Sequence, residues 1–419
     1  MRRDPRLLFA LLLAFSSPAL AQSVVPVSDA DWIVEGEQPT RTFGPFVAAG
    51  DVDGDGFDDL LIGDPLFDGD FDNSGRITIH RGSAAGLSQS PDWTVEGGAS
   101  DARLGPVFAV GDVNGDGFGD IVAQQSLTGV LELVMGSSGG PSERTTLLVG
   151  SVRGHGDVNG DGFSDIGVTV LPPRQGRVWS RSPLEDNTGL SPQKLHLFLG
   201  SASGLPPTPS VSLTTAPRIG WVYDFTFEDL NGDGYSDLVA EWGGGFSIYL
   251  GSGEGLRTRP TRIIDYSRED VSLLVSAAGD VNGDGFGDLA VDKHSSNEFA
   301  SFAELLLFWG SASGIRTQPN QVASFADMFL GAIPFGGAGD LNGDGFGDLM
   351  INERCSPFDE CRRVKILSGS ASGLVTLTLI IHGGISTASS AGDVNGDGYG
   401  DIVLSALGRV YVFHGEPSP

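Results

Sequence analysis

One nine-residue pattern, D-x-[DN]-G-D-G-[FY]-x-D, occurs seven times along this chain of 419 residues. It places oxygen-bearing side chains at positions 1, 3, 5 and 9 of a short loop, the spacing by which a peptide wraps a hard cation such as Ca²⁺. A unit repeated this often is typical of a repeat architecture and constrains the whole fold. The seven loops, numbered in chain order, are residues 51–59, 112–120, 157–165, 229–237, 280–288, 340–348 and 393–401.

Positions 4 and 6 of every loop are Gly, which can adopt positive φ and so lets positions 1, 3 and 5 converge. An EF-hand begins in the same way but needs a Glu at position 12 and flanking helices. Position 12 is apolar in all seven copies: Ile62, Ala123, Val168, Ala240, Val291, Ile351 and Leu404. We therefore predict that each loop joins two β-strands.

We expect each loop to hold one structural Ca²⁺, about seven in all, through the side chains at positions 1, 3, 5 and 9 and the backbone carbonyl of the aromatic residue at position 7. Asp/Asn/Gly turns without an ion are the alternative, which seven copies of one spacing disfavour. The predicted ligands are Asp51, Asp53, Asp55, Phe57, Asp59, Asp112, Asn114, Asp116, Phe118, Asp120, Asp157, Asn159, Asp161, Phe163, Asp165, Asp229, Asn231, Asp233, Tyr235, Asp237, Asp280, Asn282, Asp284, Phe286, Asp288, Asp340, Asn342, Asp344, Phe346, Asp348, Asp393, Asn395, Asp397, Tyr399 and Asp401.

The acidity of the chain is concentrated in these loops. The net charge is −29, and the loop positions hold four Asp in the first copy and three in each of the other six, 22 in all. So acidic a protein is not expected to bind nucleic acid, which requires basic surface. Carboxylates held this close repel one another unless a cation lies between them, so the composition favours a metal requirement.

Short β-type runs lie between the loops and a second turn signature. In the first unit the runs are Phe46–Gly50, Asp59–Ile62, Arg76–His80 and Asp92–Glu96, and the last two alternate as half-exposed strands do. Four short antiparallel strands per unit, repeated radially, predict an all-β, seven-bladed β-propeller. The second signature is a Gly-Ser turn at Gly82–Leu87, Gly136–Pro141, Gly200–Leu205, Gly251–Leu256, Gly310–Ile315 and Gly369–Leu374, degraded to His414–Glu416 in the last unit.

The N-terminal segment Asp31–Gly36 is a close copy of Asp92–Gly97, which contains the fourth strand of unit one. The seventh unit ends after its third strand, Arg409–Phe413. We predict that the N-terminal strand completes the last blade and closes the ring, which removes exposed sheet edges.

These motifs resemble the FG-GAP repeat family, the calcium-bearing β-propeller of integrin α-subunit head regions and of exported microbial proteins. The namesake dipeptide survives in Phe43-Gly44 and Phe335-Gly336, and the acidic loop is the stronger match. The resemblance implies metal ligands at positions 1, 3, 5, 7 and 9 and a role in protein interaction. No integrin-like membrane span or leg domain is recognisable, so an exported module is expected rather than a transmembrane receptor.

Residues 1–21 are predicted to be a signal peptide, because Arg2, Arg3 and Arg6 precede the apolar run Leu7–Phe15 and a small-x-small site at 19–21. An uncleaved anchor is the alternative. With the signal peptide removed, the mature propeller is expected to be residues 22–419. In an exported protein, Cys355 and Cys361 are expected to form one local disulfide.

No nucleophile elbow, zinc motif or phosphate loop occurs in the sequence. The leading hypothesis is a secreted, monomeric, non-catalytic adhesion module that binds an extracellular protein or glycan through the face opposite its metal loops. A lectin and, less favoured, a polysaccharide-degrading enzyme are the alternatives. The candidate recognition loops are Asp64–Ser74, Leu171–Lys194 with Trp179 as a possible anchor, and Asn352–Arg363.

Overall fold

The computed structural model describes residues 23–38, 43–44, 46–170, 194–214, 222–267, 271–295, 303–325, 336–354 and 362–417. The chain is all-β, and its strands form seven separate sheets that are the blades of a propeller. One short 3₁₀ turn, Val27–Asp29, is the sole helical element among the described residues. Within those residues, no helix has the length and apolarity needed to cross a membrane.

Two strands, β1 (Ser23–Pro26) and β2 (Trp32–Glu35), precede the first blade. Blade 1 comprises β3 (Phe46–Gly50), β4 (Asp59–Asp64), β5 (Arg76–His80) and β6 (Trp93–Glu96). Blade 2 comprises β7 (Leu104–Gly111), β8 (Asp120–Gln125), β9 (Val130–Val134) and β10 (Arg144–Val149). Blade 3 comprises β11 (Ser151–Gly156), β12 (Asp165–Val170), β13 (Lys194–Phe198) and β14 (Val211–Thr214). Blades 4 and 5 comprise β15 (Val222–Glu228), β16 (Asp237–Trp242), β17 (Gly245–Tyr249) and β18 (Arg262–Asp265), and β19 (Val271–Gly279), β20 (Asp288–Ser295), β21 (Ala303–Phe308) and β22 (Gln321–Phe325). Blades 6 and 7 comprise β23 (Gly336–Gly339), β24 (Asp348–Arg354), β25 (Arg362–Ser368) and β26 (Thr376–His382), and β27 (Ile385–Gly392), β28 (Asp401–Ala406) and β29 (Arg409–Phe413).

The predicted ring closure is confirmed. Strand β2 pairs antiparallel with β29, Trp32 opposite Val412 and Glu35 opposite Arg409, and so supplies the fourth strand of blade 7. The inner strand of blade 7, β27, packs against the inner strand of blade 1, β3. Strand β1 was not predicted: it pairs parallel with β26 and adds a fifth strand to the outer edge of blade 6. The N-terminal segment therefore joins two blades.

The hydrophobic core lies between neighbouring blades in seven separate clusters. Between blades 4 and 5, for example, Phe246 meets Phe308 edge to face with ring centroids 5.5 Å apart. Each blade thus buries both of its faces, one against each neighbour, and the seven interfaces stabilise one another only in a closed ring.

The prediction that the third strand of unit one is half exposed is wrong. All five residues of β5, from Arg76 to His80, are buried. The polar positions of its alternating pattern face another blade instead of water. His80, for instance, lies edge-on to Trp32 of β2, with ring centroids 5.0 Å apart. The fourth strand, β6, does alternate in burial.

Several sequence predictions fall outside the described residues. These are the signal peptide 1–21, the disulfide between Cys355 and Cys361, and residues 171–193 with Trp179. The stretch Asn352–Arg363 is partly described. Its arms belong to strands, since Asn352 pairs with Val364 and Arg354 with Arg362, so the connection between β24 and β25 is shorter than the sequence suggested.

Candidate metal centres

The first carboxylate of each acidic loop organises the backbone around it. In loop 3, Asp157 Oδ2 accepts the N–H of Gly162 at 2.9 Å, while Oδ1 accepts those of Gly160 at 2.7 Å and Asp161 at 3.2 Å. The bond from position 6 to position 1 recurs in all seven loops at 2.7–2.9 Å. Position 6 has φ between +85° and +91°, a conformation that favours Gly.

Positions 3 and 5 lie against this first carboxylate. In loop 3, Asn159 Oδ1 accepts the N–H of Asp161 at 3.1 Å, and Asp161 Oδ1 accepts the N–H of Phe163 at 3.1 Å. The Asn159 amide also donates to Asp161 Oδ2 at 2.8 Å. These hydrogen bonds bring the side chains of positions 1, 3 and 5 together within one turn of chain.

The carboxylate at position 9 fastens the loop to its own blade. Asp165 Oδ2 accepts the N–H of Val158 at 2.9 Å, and Oδ1 accepts the N–H of Gly200, the first residue of the Gly-Ser turn, at 2.8 Å. Both bonds recur in every blade, and in blade 7 Gly415 takes the glycine's place, so the degraded signature keeps its contact. The sequence did not predict this second role for position 9.

Each loop is also hydrogen-bonded to the loop of the preceding blade. The position-8 N–H donates to the position-1 carbonyl of that preceding loop, as Ser236 does to Asp157 at 2.8 Å. The bond is present at all seven interfaces, including the closing one, where Asp58 donates to Asp393 at 3.2 Å. The seven loops therefore form one continuous circle on their face of the propeller.

The aromatic residue at position 7 explains the glycine at position 4. A Cβ added to Gly160 would lie 2.5 Å from Cε1 of Tyr235, the position-7 ring of the next blade. The same relation holds around the circle, ending with Phe57 over Gly396 of blade 7. Position 4 is thus glycine for two reasons: its positive φ, and the neighbouring ring that occupies the space of a side chain.

Burial raises the pKa of the position-9 carboxyl groups, which are almost without solvent exposure. The backbone N–H groups that they accept, and which lower the pKa, offset this only in part. The pKa rises to about 7 for Asp59, Asp165, Asp237 and Asp288 and to about 6 for Asp120, Asp348 and Asp401. Without a cation, ionising these groups at neutral pH is therefore costly.

Loop 1 provides a test of whether the residues fit a metal ion. Carboxylate oxygens of Asp51, Asp53 and Asp59 all lie within 4.8 Å of one another. Asp53 is almost fully buried, and its Oδ1 has no hydrogen-bond partner. A buried, unpartnered carboxylate oxygen among other carboxylates is a fitting ligand for a hard divalent cation. In the other six loops Asn replaces Asp at position 3.

Two residues near the loops were missed from the sequence. Glu228 precedes loop 4 where the other six units have Gly, and burial raises its pKa to about 7. It lines a cleft of about 470 Å³ together with Asp280, Asp340 and Phe346. Arg81 stands before the Gly-Ser turn of blade 1 and ion-pairs with loop 1. Glu228 breaks a glycine consensus, and that break was the available signal, whereas the position of Arg81 varies between units and its signal was being the one Arg or Lys among the seven equivalents.

On the opposite face, the candidate loop Asp64–Ser74 is tightly anchored. Phe67 is buried beneath the Arg76 guanidinium, whose Cζ lies 3.7 Å from the ring centroid. Gln38 exchanges two hydrogen bonds with the backbone of Asp68, at 2.8 and 2.9 Å. Phe71, by contrast, is 44% exposed. Of the two Phe residues in this candidate recognition loop, Phe71 is the one available to a partner.

Comparison with known proteins agrees with this architecture. A family model described as FG-GAP repeat matches residues 43–80 and 386–413, and one described as FG-GAP-like repeat matches residues 229–291. Human integrin alpha-6 is 28% identical over 31% of the present chain. Drosophila melanogaster integrin alpha-PS2 is 34% identical over 28% of the present chain, and integrin alpha-PS5 from the same organism is 33% identical over 40% of it.

The chain spans 12%, 9% and 17% of the lengths of these three relatives, respectively. Two of the family matches, at residues 43–80 and 386–413, lie on the two sides of the closing interface between blades 1 and 7. The third covers loop 4 and loop 5. Taken with the seven blades and their acidic loops, these similarities support an integrin-α-like FG-GAP repeat protein.

Proposed function

We propose that this protein is a secreted β-propeller that is stabilised by about seven Ca²⁺ ions and acts as a non-catalytic module for binding an extracellular protein. The observation that carries the calcium assignment is the loop 1 cluster, where carboxylate oxygens of Asp51, Asp53 and Asp59 lie within 4.8 Å of one another. Three anionic oxygens this close are a stable arrangement when a divalent cation lies among them.

Ca²⁺ suits these loops better than a transition metal because all the side-chain ligands offered are oxygens. Carboxylate, amide and carbonyl oxygens are hard ligands, and a flexible loop can supply the six to eight that Ca²⁺ takes. In each loop the ligands would be the side chains at positions 1, 3, 5 and 9, with the position-7 carbonyl. When bound, the ion would neutralise carboxylates that otherwise repel one another.

The ions would be structural, because the loops they hold connect neighbouring blades. Position 1 is bonded to the following blade and position 9 to the Gly-Ser turn of its own blade. An ion that bridges positions 1 and 9 would tighten both connections. Binding to the folded state alone raises the free energy of unfolding.

The recognition role is inferred from the family and from the asymmetry of the face opposite the loops. Loops there differ between blades, which favours one partner site over the repeated pockets of a lectin. A glycan partner is the second candidate. Export is inferred from the N-terminal sequence, and an enzymatic role is not favoured because no recognisable catalytic motif occurs in the sequence.

Thermal unfolding in Ca²⁺ and in excess chelator tests the calcium assignment, with Mg²⁺ as the matched ion. We expect Ca²⁺ to raise the melting temperature by at least about 10 °C over chelator, because seven sites each contribute by mass action. Mg²⁺ should have a much smaller effect, since it demands octahedral geometry. Equal melting temperatures in calcium and chelator would refute structural calcium.

An affinity capture from native surroundings tests the interaction role, with and without calcium. A specific extracellular protein retained by the propeller in calcium, and lost when Phe71 is changed to Ser, would support the proposal. Retention of polysaccharide, blocked by simple sugars, would favour the lectin alternative. Release of reducing sugar from the captured polysaccharide would show an enzyme.

A further inference from the structure

Arg81 places a permanent positive charge in loop 1. It follows β5 and directly precedes the Gly-Ser turn of blade 1. Its guanidinium Nη2 is in close contact with Asp53 Oδ2 and lies 2.9 Å from Asp55 Oδ2, the carboxylates at positions 3 and 5. The Asp53 side chain is 2% exposed, so this ion pair is largely shielded from water on its acidic side. The guanidinium also lies 5.4 Å from the ring centroid of Trp93.

Among the described residues, no other loop has this arrangement. The residues equivalent to Arg81 are Met135, Leu199, Leu250, Trp309, Ser368 and His414. Loops 2, 3, 4 and 7 instead use the position-3 Asn, whose amide donates to the position-5 carboxylate at 2.8–3.0 Å. In loop 1, Asp53 replaces that Asn, which adds one negative charge and removes the amide donor. Arg81 supplies both the missing donor and the compensating charge.

We propose that Arg81 is a tethered counter-cation of loop 1. In the metal-free protein its guanidinium pairs with the carboxylates at positions 3 and 5, and it must be displaced when a divalent cation binds. This inference rests on the calcium function proposed above. It makes loop 1 the weakest of the seven calcium sites and the one that depends least on calcium for its shape. Displacement is possible because Arg81 is half exposed and can swing its guanidinium into solvent.

The position of loop 1 gives this arrangement a consequence. Loop 1 forms the closing interface with blade 7, where the Asp58 N–H donates to the Asp393 carbonyl and Asp58 Oδ2 accepts the Asp393 N–H at 2.9 Å. The Phe57 ring covers Gly396 at the same interface. A loop held by its own cation keeps this interface formed when calcium is scarce, so the ring stays closed before its other loops are loaded.

The test compares R81M with the double variant R81M/D53N, which gives loop 1 the charges of the other six loops. L250M, at the equivalent position of blade 4, is the matched control. Site occupancy is read from terbium luminescence sensitised by Trp93, with the signal of each variant's W93F form subtracted, and calcium affinity from competition with terbium. Melting temperatures in chelator provide the second measurement.

We expect R81M to tighten calcium binding at loop 1 by about tenfold or more, because the ion no longer displaces a cation. In chelator, R81M should melt about 2–4 °C below wild type, because four carboxylates are left without a counter-charge. The double variant should recover most of that loss, and L250M should match wild type in both measurements. Unchanged loop 1 affinity in R81M, or unchanged melting in chelator, would overturn the role of Arg81.

Failure of the calcium function would look different. If wild-type protein takes up neither terbium nor calcium at any loop, the proposed function and this inference fall together. If wild type binds calcium at its other loops and R81M behaves as wild type at loop 1, only the inference about Arg81 falls.

Discussion

The seven connections between the first and second strands of each blade are equal in length, and each is bonded to its neighbour. Among the connections between second and third strands that the structure describes throughout, on the other face, the bounds range from residues 407–408 in blade 7 to residues 65–75 in blade 1. One face is thus a periodic circle of bonded loops, while the other carries loops of unequal length whose contacts differ from blade to blade. A substitution on the first face should disturb a bond that recurs at all seven interfaces, and a substitution on the second face a contact particular to one loop, such as that of Gln38 with Asp68.

This difference separates stability from recognition. On the face that carries the acidic loops, the polar groups are hydrogen-bonded within the protein, since the carboxylates at position 1 and position 9 each accept at least two backbone N–H groups. The opposite face leaves groups such as Phe71 exposed on a well-anchored loop. Rigid scaffolds commonly carry variable recognition loops in this way.

Removing residues 23–36 should have the largest effect, because the circle of loops is closed only when blade 7 is complete. Without β2, the edge of β29 and the buried Trp32 interface are exposed. We expect loss of cooperative unfolding, or exchange of strands between molecules, as measured by thermal melting and size-exclusion chromatography. Removing 23–27 alone deletes β1 and should leave a folded monomer. A stable monomer after the longer deletion would contradict the closure.

A matched pair of glycines in loop 3 tests the interlock itself. Gly160 and Gly162 both have positive φ, but a Cβ at 160 would meet the Tyr235 ring of the next blade while one at 162 would meet nothing within 4 Å. We expect G162A to lower the free energy of unfolding by about 1–2 kcal/mol through backbone strain alone. G160A should cost about 1–3 kcal/mol more, as the ring is displaced. Equal losses in urea unfolding would show that the loops are not interlocked.

The pH dependence should reverse sign with calcium. The folded-state pKa of the position-9 carboxyls, near 6 to 7, exceeds the value of about 4 in an unfolded chain. Protonation therefore stabilises the metal-free fold: this stability is fully present below about pH 4 and is lost as the pH rises through about 7. In chelator, melting temperature should rise by a few degrees as the pH falls from about 8 to about 5.5. In calcium it should fall, because protons compete with the ion.

The smallest effect is expected on the opposite face. F71A removes an exposed side chain and should change the free energy of unfolding by less than about 0.5 kcal/mol. F67A in the same loop is the matched comparison: it removes a buried ring beneath Arg76 and should cost about 3 kcal/mol or more. Denaturant unfolding of both variants measures the difference. A large loss for F71A would mean that this loop is structural throughout.

Much of the fold could be predicted because the repeat carries it locally. The first strand of unit one, Phe46–Gly50, and the third, Arg76–His80, have the predicted bounds. The closing strand was visible because Asp31–Gly36 copies Asp92–Gly97. Strand β1 was not visible: four residues that pair in parallel with a strand more than 350 positions away carry no local signal.

The residues that offer oxygen ligands could be named from the sequence, and their role as ligands stays a prediction, whereas the connections of the loops could not be foreseen. Spacing alone indicated that positions 1, 3, 5 and 9 converge, because they lie within nine residues. The bond from Ser236 to Asp157 joins two blades, and Arg81 reaches Asp53 from the far end of β5, so both depend on how the ring packs. The full burial of β5 has the same origin, since its polar side chains face a neighbouring blade.

The bond from position 8 of one loop to position 1 of the loop before it always runs in the same direction. Every unit therefore carries a hydrogen-bond donor on the side facing the preceding blade and the matching acceptor on the side facing the next blade. Tandem duplication of one such unit would add a blade with its linkage already in place. A propeller of this kind can gain a blade by gene duplication without needing a new type of contact between neighbouring blades.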